Sequence, residues 1–359
     1  MSARRGSVPP SAATSAAPAA DNDRSRKRTT INDIARMAAV SKKTVSRVIN
    51  KSPYVREETR IKVNAIIAKT GFAPDPQARG LAFRRSFLLG LIYDNPNAQY
   101  IVNIQQGVLD CVRASGYELV VHPCDRNSPS FLDDVRSFVE RQKLFGVVLI
   151  PPVSENEDLA QLLSDIDCPY VRIASTPLDE PERMIVSHDR TAAAEAGEHL
   201  VSLGHKEIGF ITGPSHYRSA HERREGFAGA LAVHGLKLSP KLIVEGAYSF
   251  ESGVKCAEVL LAKKPRPTAI FASNDEMAAG VYKAAYAQGL RIPEDLSVVG
   301  YDDSPLATRV WPALTTVRVP IRDMGRMAAE KLIGTEPDPQ ASDEIEARLV
   351  VRDSSARVG

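Results

Sequence analysis

The stretch TINDIARMAAVSKKTVSRVIN, Thr30 to Asn50, decides how the start of the chain folds. Thr30 and Asp33 have the spacing of a capping box, in which hydroxyl and carboxylate each satisfy the other residue's backbone N–H. Ile31, Ile34, Ala35 and Ala38 then share one face at helical spacing. The period breaks at Ala39-Val40. Ser41 follows and caps a second helix, with Thr44 three residues on. In that helix Val45, Val48 and Ile49 point inward, which leaves Lys42, Lys43, Ser46, Arg47 and Asn50 outside. KSPY is a turn. REETRIKVNAIIAKTGF predicts a third helix that buries Ile61, Ala65 and Ala68 and stops at Gly71. Two helices joined by a tight turn, the second with a polar and basic outer face, make a helix-turn-helix. Its second helix fits the major groove of DNA, where the first outward side chains read base edges and Ser, Thr and Asn bind phosphates. A small packing bundle with a solvated face is the alternative.

Charge placement favours the nucleic-acid reading. The 359 residues carry a net charge of only +2. Residues 1–85, however, hold 18 Lys and Arg against 6 Asp and Glu, whereas the remainder holds 28 against 38. A basic head on an acidic body is the asymmetry expected when one end meets a polyanion. Residues 1–28, rich in Ala, Ser and Pro and ending in RSRKR, read as a disordered basic tail without the apolar stretch of a signal peptide. Hydrophobic content of 43% and charged content of 25% fit a globular chain, and no apolar run has the length of a membrane helix. Cys111, Cys124, Cys168 and Cys256 form no CxxC pair and no metal-ligand spacing, so they read as buried free thiols in a reducing cytoplasm.

From Phe87 onward, apolar runs such as FLLGLIY, YELVVH, GVVLI, YVRI, MIVSH, EIGFITG, TAIFAS and LSVVGYD alternate with helical patterns. That alternation predicts parallel sheets flanked by helices. The length exceeds what one sheet needs and suits two lobes around a cleft, with ligand groups just after the strands. The polar residues there are Asp94, Asn95, Asn274, Asp275 and Asp302, with Arg223 starting the RREGF helix. Carboxylates, an amide and an Arg fork suit the hydroxyls of a sugar, and Tyr100 or Tyr248 suits its apolar face. For the carboxylates and the amide, a helix cap or a turn is the competing reading. The lone Trp311 reads as interface or core packing.

These segments together resemble the LacI/GalR family of transcription regulators. The resemblance rests on TINDIARMAAVSKKTVSRVIN, then ETR and GFAPDPQARGLA, and continues to LVVRDS near the end. It implies an all-α helix-turn-helix head at 29–74, a hinge helix or linker at 75–86, and a two-lobed α/β body like periplasmic binding proteins at 87–359. The first lobe would comprise about 87–187 plus 318–345, and the second about 188–317 plus 346–354. The resemblance places Thr30, Ser41, Lys42, Lys43, Thr44, Ser46, Arg47, Asn50 and Arg56 on DNA. It also places Leu81 of the hinge, beside Ala78, as a wedge in the minor groove. Arg223, Asn274 and Asp302 match effector-binding positions, and Tyr248 matches a position that is often aromatic. Three positions depart from the pattern. Ala39 stands where the family has Gly, Arg56 where it has a Ser or Thr cap, and Ala174 where many members are acidic. The identity of the sugar therefore does not follow from the resemblance.

An enzyme reading finds no support: GxGxxG after the first strand, a Walker loop, GxSxG and HExxH are all missing. No cofactor or metal is implied. The pairs His188-Asp189 and His221-Glu222 are adjacent in sequence and point to different sides of any regular element. The expectation is a cytoplasmic repressor that binds a palindromic operator as a homodimer and is released by a small hydroxylated effector. A sugar-binding protein without a regulatory role is the alternative. Only SARVG follows the last strand, too little for a leucine-heptad helix, so a dimer rather than a tetramer is expected. Its interface would involve the helix around Tyr100 to Arg113 and the helix after GPSHYRSA.

Overall fold

The computed structural model describes residues 29–49, 54–72, 87–334 and 345–358, and the chain separates after Asp75 into a head and a body. The tail, Asn50, and the linker with Ala78 and Leu81 lie outside the described residues.

In the head, α1 (Ile31–Ala38) opens with the capping box: Asp33 Oδ2 accepts from both the backbone N–H and the hydroxyl of Thr30. Ser41 starts α2 (Lys42–Ile49), its Oγ accepting from the Thr44 N–H at 3.0 Å. The turn between them places Ala39 at φ 52°, ψ 42°, a left-handed conformation that costs a residue with a Cβ about 1–2 kcal/mol. The helix α3 (Glu57–Thr70) ends at Gly71 with φ 63° and begins at Arg56, whose side chain makes no cap.

The buried face of α3 is not the expected one. Ile61 is 62% exposed and Ala65 and Ala68 are exposed too, while Val63 is buried and Ile66 and Ile67 pack with it. Both stripes have helical spacing. A Val and two Ile bury more apolar area than one Ile and two Ala, so the β-branched stripe takes the core formed by Ile34, Ala38, Val45 and Val48.

The body contains two sheets. The first runs β2-β1-β3-β4-β5 and is wholly parallel, formed by β1 (Leu88–Tyr93), β2 (Glu118–Pro123), β3 (Gly146–Leu149), β4 (Tyr170–Ala174) and β5 (Met184–Val186). The second runs β11-β10-β9-β8-β6-β7. Its strands are β6 (Ile208–Thr212), β7 (Ile243–Glu245), β8 (Ala269–Ala272), β9 (Ser297–Asp302), β10 (Thr315–Arg318) and β11 (Arg348–Val350). Among the described residues, only β10–β11 pair antiparallel. β7 and β10 are three and four residues long and were not among the runs read from the sequence.

Helices cover both sheets. α4 (Ala98–Ser115) packs on α11 (Ile321–Ile333) so closely that a Cβ on Gly107 would stand 1.8 Å from the Arg322 carbonyl. The Arg322 guanidinium also forks onto Asp110, at 2.6 and 3.0 Å. Thus α11, although it follows β10 of the second sheet, belongs to the first lobe. α5 (Phe131–Gln142) and α6 (Glu157–Asp165) fill the first lobe's other face. In the second lobe α7 (Asp189–Ser202) packs with α8 (Arg218–Val233), and α9 (Phe250–Leu261) with α10 (Asp275–Ala287). No described helix is long and apolar enough to cross a membrane. Cys168 and Cys256 are buried as expected, but Cys111 and Cys124 are only half-buried. Trp311 is 81% exposed, so it is not core.

Candidate functional site: a basic helix and an interlobe cleft

On the head, Lys42, Lys43 and Arg47 are exposed along one side of α2, with Thr44 and Ser46 half-buried beside them. The first-turn hydroxyls already act as caps: Ser41 Oγ and Thr44 Oγ1 lie 2.8 Å apart. Thr30 and Arg56, at the starts of α1 and α3, are exposed. This leaves three long cations directed away from the head's core.

In the body, the C-terminal ends of both sheets meet around a cleft. Parallel strands stop here one after another, and several are followed by polar residues that line the gap. Asn95 and Asn97 follow β1, Ser175 follows β4, Ser187 and Asp189 follow β5, Asn274 follows β8, and Asp302 ends β9. Tyr100 lies in the first turn of α4. Arg223 does not begin its helix. α8 starts at Arg218, and Arg223 comes a turn later.

Arg223 is the electrostatic centre. Its Nε donates to Asp189 Oδ1 at 2.6 Å, its Nη1 donates to the Ser273 carbonyl, and its guanidinium lies 3.7 Å from the Tyr301 ring centroid. Burial works against its charge, yet the adjacent Asp189 carboxylate and the tyrosines hold its pKa well above the ordinary value. Asp189 itself accepts from Arg223, from the Tyr301 hydroxyl at 3.0 Å and from Ser187 Oγ.

Asp302 faces a different balance. Burial pushes its carboxyl up to about 8, despite Arg223 nearby and an Asn97 Nδ2 donor at 3.2 Å. Its φ of 106° is one that side-chain-bearing residues rarely adopt, and strained backbone of this kind concentrates at functional sites. Tyr248 is also left-handed, at φ 57°, and its ring stands edge-on to Tyr217 at 5.3 Å. A Cβ on Gly213 would meet the Tyr248 hydroxyl at 2.1 Å, so only glycine leaves that ring its place.

Of the expected cleft residues, Asn95, Tyr100, Arg223, Tyr248, Asn274 and Asp302 line it together. Asp94 does not. Its carboxylate accepts from the Arg126 N–H at 3.3 Å and lies 3.7 Å from Arg126 Nε, which ties it to the loop after β2. Asp275 lies behind the wall, where it accepts from Thr316 Oγ1 at 2.6 Å and the Ser304 N–H at 2.7 Å. The sequence reading missed Asn97, Ser175, Asp189, Tyr217 and Ser219. Asn97, Ser175 and Asp189 follow strands, so applying the polar-after-strand rule to every run would have found them.

A head with a basic helix and a two-lobed body with a polar cleft define a ligand-responsive DNA-binding regulator. The chain belongs to the LacI family of bacterial regulatory proteins. It matches that family's description over residues 30–75 and the periplasmic binding protein-like domain over 198–355. It is 31% identical to the probable HTH-type transcriptional repressor ExuR of Bacillus subtilis, over 92% of this chain and 99% of that one. It is 33% identical to catabolite control protein A of Priestia megaterium, over 84% and 91%. Among solved structures it resembles the lac repressor dimer bound to operator and the anti-inducer ONPF, with TM-score 0.72 and 27% identity over 92% of this chain and all of that one. The transcriptional regulator CelR in complex with cellobiose aligns with TM-score 0.67 and 29% identity, over 91% and 100%. The protein is thus a transcription regulator of the repressor type.

Proposed function

We propose that this repressor binds a palindromic operator as a homodimer and that a sugar in the interlobe cleft sets its affinity for DNA, the whole acting in the cytoplasm by binding rather than by catalysis. The observation that carries the reading is the wall of the cleft. Arg223, Asn274 and Asp302 converge with Tyr248 at the strand ends, the mixture of fork, amide, carboxylate and aromatic face that a hydroxylated ring needs. Lys42, Lys43 and Arg47 supply base reading and phosphate neutralisation from α2. The helices α4 and α8, each exposing an apolar residue (Val102 and Val233), are the candidate dimer surface. A sugar favours release by binding one arrangement of the lobes better than the other.

Selection from random DNA should return an inverted repeat, because paired heads mirror a two-fold axis. Arg47→Ala should cost about 1–3 kcal/mol and flatten preference at one base pair. Equal losses on specific and random DNA would make Arg47 a phosphate contact instead. Arg223→Ala should leave DNA binding intact and abolish the response to sugar.

A further inference from the structure

We propose that the cleft accepts an uncharged polyhydroxylated ligand and rejects one bearing a carboxylate or phosphate, and that Asp189 is the residue that sets this preference. The inference rests on the sugar reading above and narrows it.

The carboxyl and guanidinium side chains lining the cleft, among the described residues, are Asp189, Arg223 and Asp302, and burial keeps Asp302 largely protonated at neutral pH. The single cation is already engaged. Asp189 takes its Nε–H at 2.6 Å, the Ser273 carbonyl takes an Nη1–H, and the Tyr301 ring covers one face. Asp189 is held in that position by the Tyr301 and Ser187 hydroxyls, so it cannot swing away when a ligand arrives. An anion placed on the remaining guanidinium N–H groups would face the Asp189 carboxylate beside it. Like charges brought together in a site of low polarity disfavour binding strongly.

Helix N-termini could offer an alternative anion cradle, and those of α4, α7, α8 and α10 border the cleft, but each already faces an acceptor oxygen or a carboxylate; at α8 the Glu155 Oε2 accepts from the Arg218 N–H at 3.2 Å. At α4 the Asn97 Oδ1 accepts from the Tyr100 N–H at 3.1 Å. At α10 the Asn274 Oδ1 accepts from the Met277 N–H at 2.9 Å. α7 carries Asp189 itself in its first turn. What the wall leaves open is neutral. The buried Ser175 hydroxyl has no partner among the described residues, and the Ser219 hydroxyl lies 3.4 Å from that of Tyr248. Hydroxyls that donate and accept in turn complement ring hydroxyls rather than an anion.

The test is calorimetric titration of the full-length protein at neutral pH with glucose, galactose and mannose, each as free sugar, uronic acid and 6-phosphate. In whichever series binds, the free sugar should bind at least about tenfold more tightly than its two anionic relatives. Asp189→Asn should narrow that gap about tenfold by freeing the charge of Arg223. Should Asp189→Asn fail to fold, Asp189→Ser, which removes the carboxylate and keeps a small hydroxyl beside Arg223, should narrow the gap in the same direction. An anionic member binding more tightly than its free sugar, or variants that leave the gap unchanged, would overturn the inference and leave the sugar reading standing. Absence of binding by all nine compounds would overturn the sugar reading, and the inference with it.

Discussion

Two residues are held in conformations or charge states that their chemistry resists, and each has a measurable consequence. Ala39 occupies a left-handed turn at φ 52°, a conformation that glycine adopts without steric cost. Ala39→Gly should therefore stabilise the head by about 1 kcal/mol, read as a higher denaturation midpoint for the head's helical signal. An unchanged midpoint would mean that the turn carries no strain. Asp302 keeps its proton at neutral pH, because burial raises its carboxyl from the ordinary 3.8 to about 8. Between those values the folded state holds a proton that the unfolded chain has lost. This contribution to stability is full below about pH 4 and is lost as pH rises toward about 8. Asp275, pushed by burial to about 7, acts in the same direction. Asp302→Asn should flatten the decline in stability over this range, checked by thermal unfolding at a series of pH values. A slope as steep as the parent's would assign the titration elsewhere.

At the scale of elements, the sequence was legible wherever a segment's own period outweighed its surroundings. The capping box of α1, the two buried valines of α2 and the eight long strand runs all follow from residue spacing. α3 was not legible in this way, because two helical stripes compete along it and only the volume demanded by α1 and α2 chooses Val63, Ile66 and Ile67. β7 and β10 escaped although β5, equally short, was read, so length alone does not separate them. Asp94 escaped because its fate depends on Arg126, 32 residues away. The cleft was half legible for the same reason: strand ends can be read locally, whereas Asp189 acquires its role from Arg223 and Tyr301, distant in sequence. Helix contact also makes a prediction. Gly107→Ala places a methyl against the Arg322 backbone, where no side-chain rotation relieves the clash. It should cost about 3 kcal/mol in chemical denaturation, by prising α4 from α11. A loss below about 1 kcal/mol would show that the two helices slide apart freely.

At the scale of the body, among the described residues, hydrogen bonds made by Asn97 and Glu155 reach across the cleft and add to the chain crossings in joining the lobes. Asn97 Nδ2, from the loop before α4, donates to Asp302 Oδ2 at 3.2 Å. Glu155 Oε2, after β3, accepts from the Arg218 N–H at 3.2 Å. The first of these has a second function: Asn97 also caps α4 through Oδ1, so one side chain ties a helix of one lobe to a ligand-facing carboxylate of the other. A ligand that takes hold of Asp302 must therefore either share it with Asn97 or displace Asn97, and either choice is felt at the start of α4. Serine separates the two functions, because its hydroxyl still caps a helix but is too short to span the cleft. Asn97→Ser should leave unfolding stability nearly unchanged yet shift the ligand-free lobes toward an open arrangement. The loss of a hydrogen bond worth about 1.5 kcal/mol raises the open population about tenfold. Hydrogen exchange reads this directly, as faster exchange at the Arg218 amide, which donates across the cleft to Glu155 Oε2. Asn97→Ala should add a helix-cap penalty of about 1 kcal/mol to the same opening. If Asn97→Ser exchanges at the parent's rate while Asn97→Ala is merely less stable, Asn97 is a helix cap alone, and closure rests on Glu155 and the chain crossings.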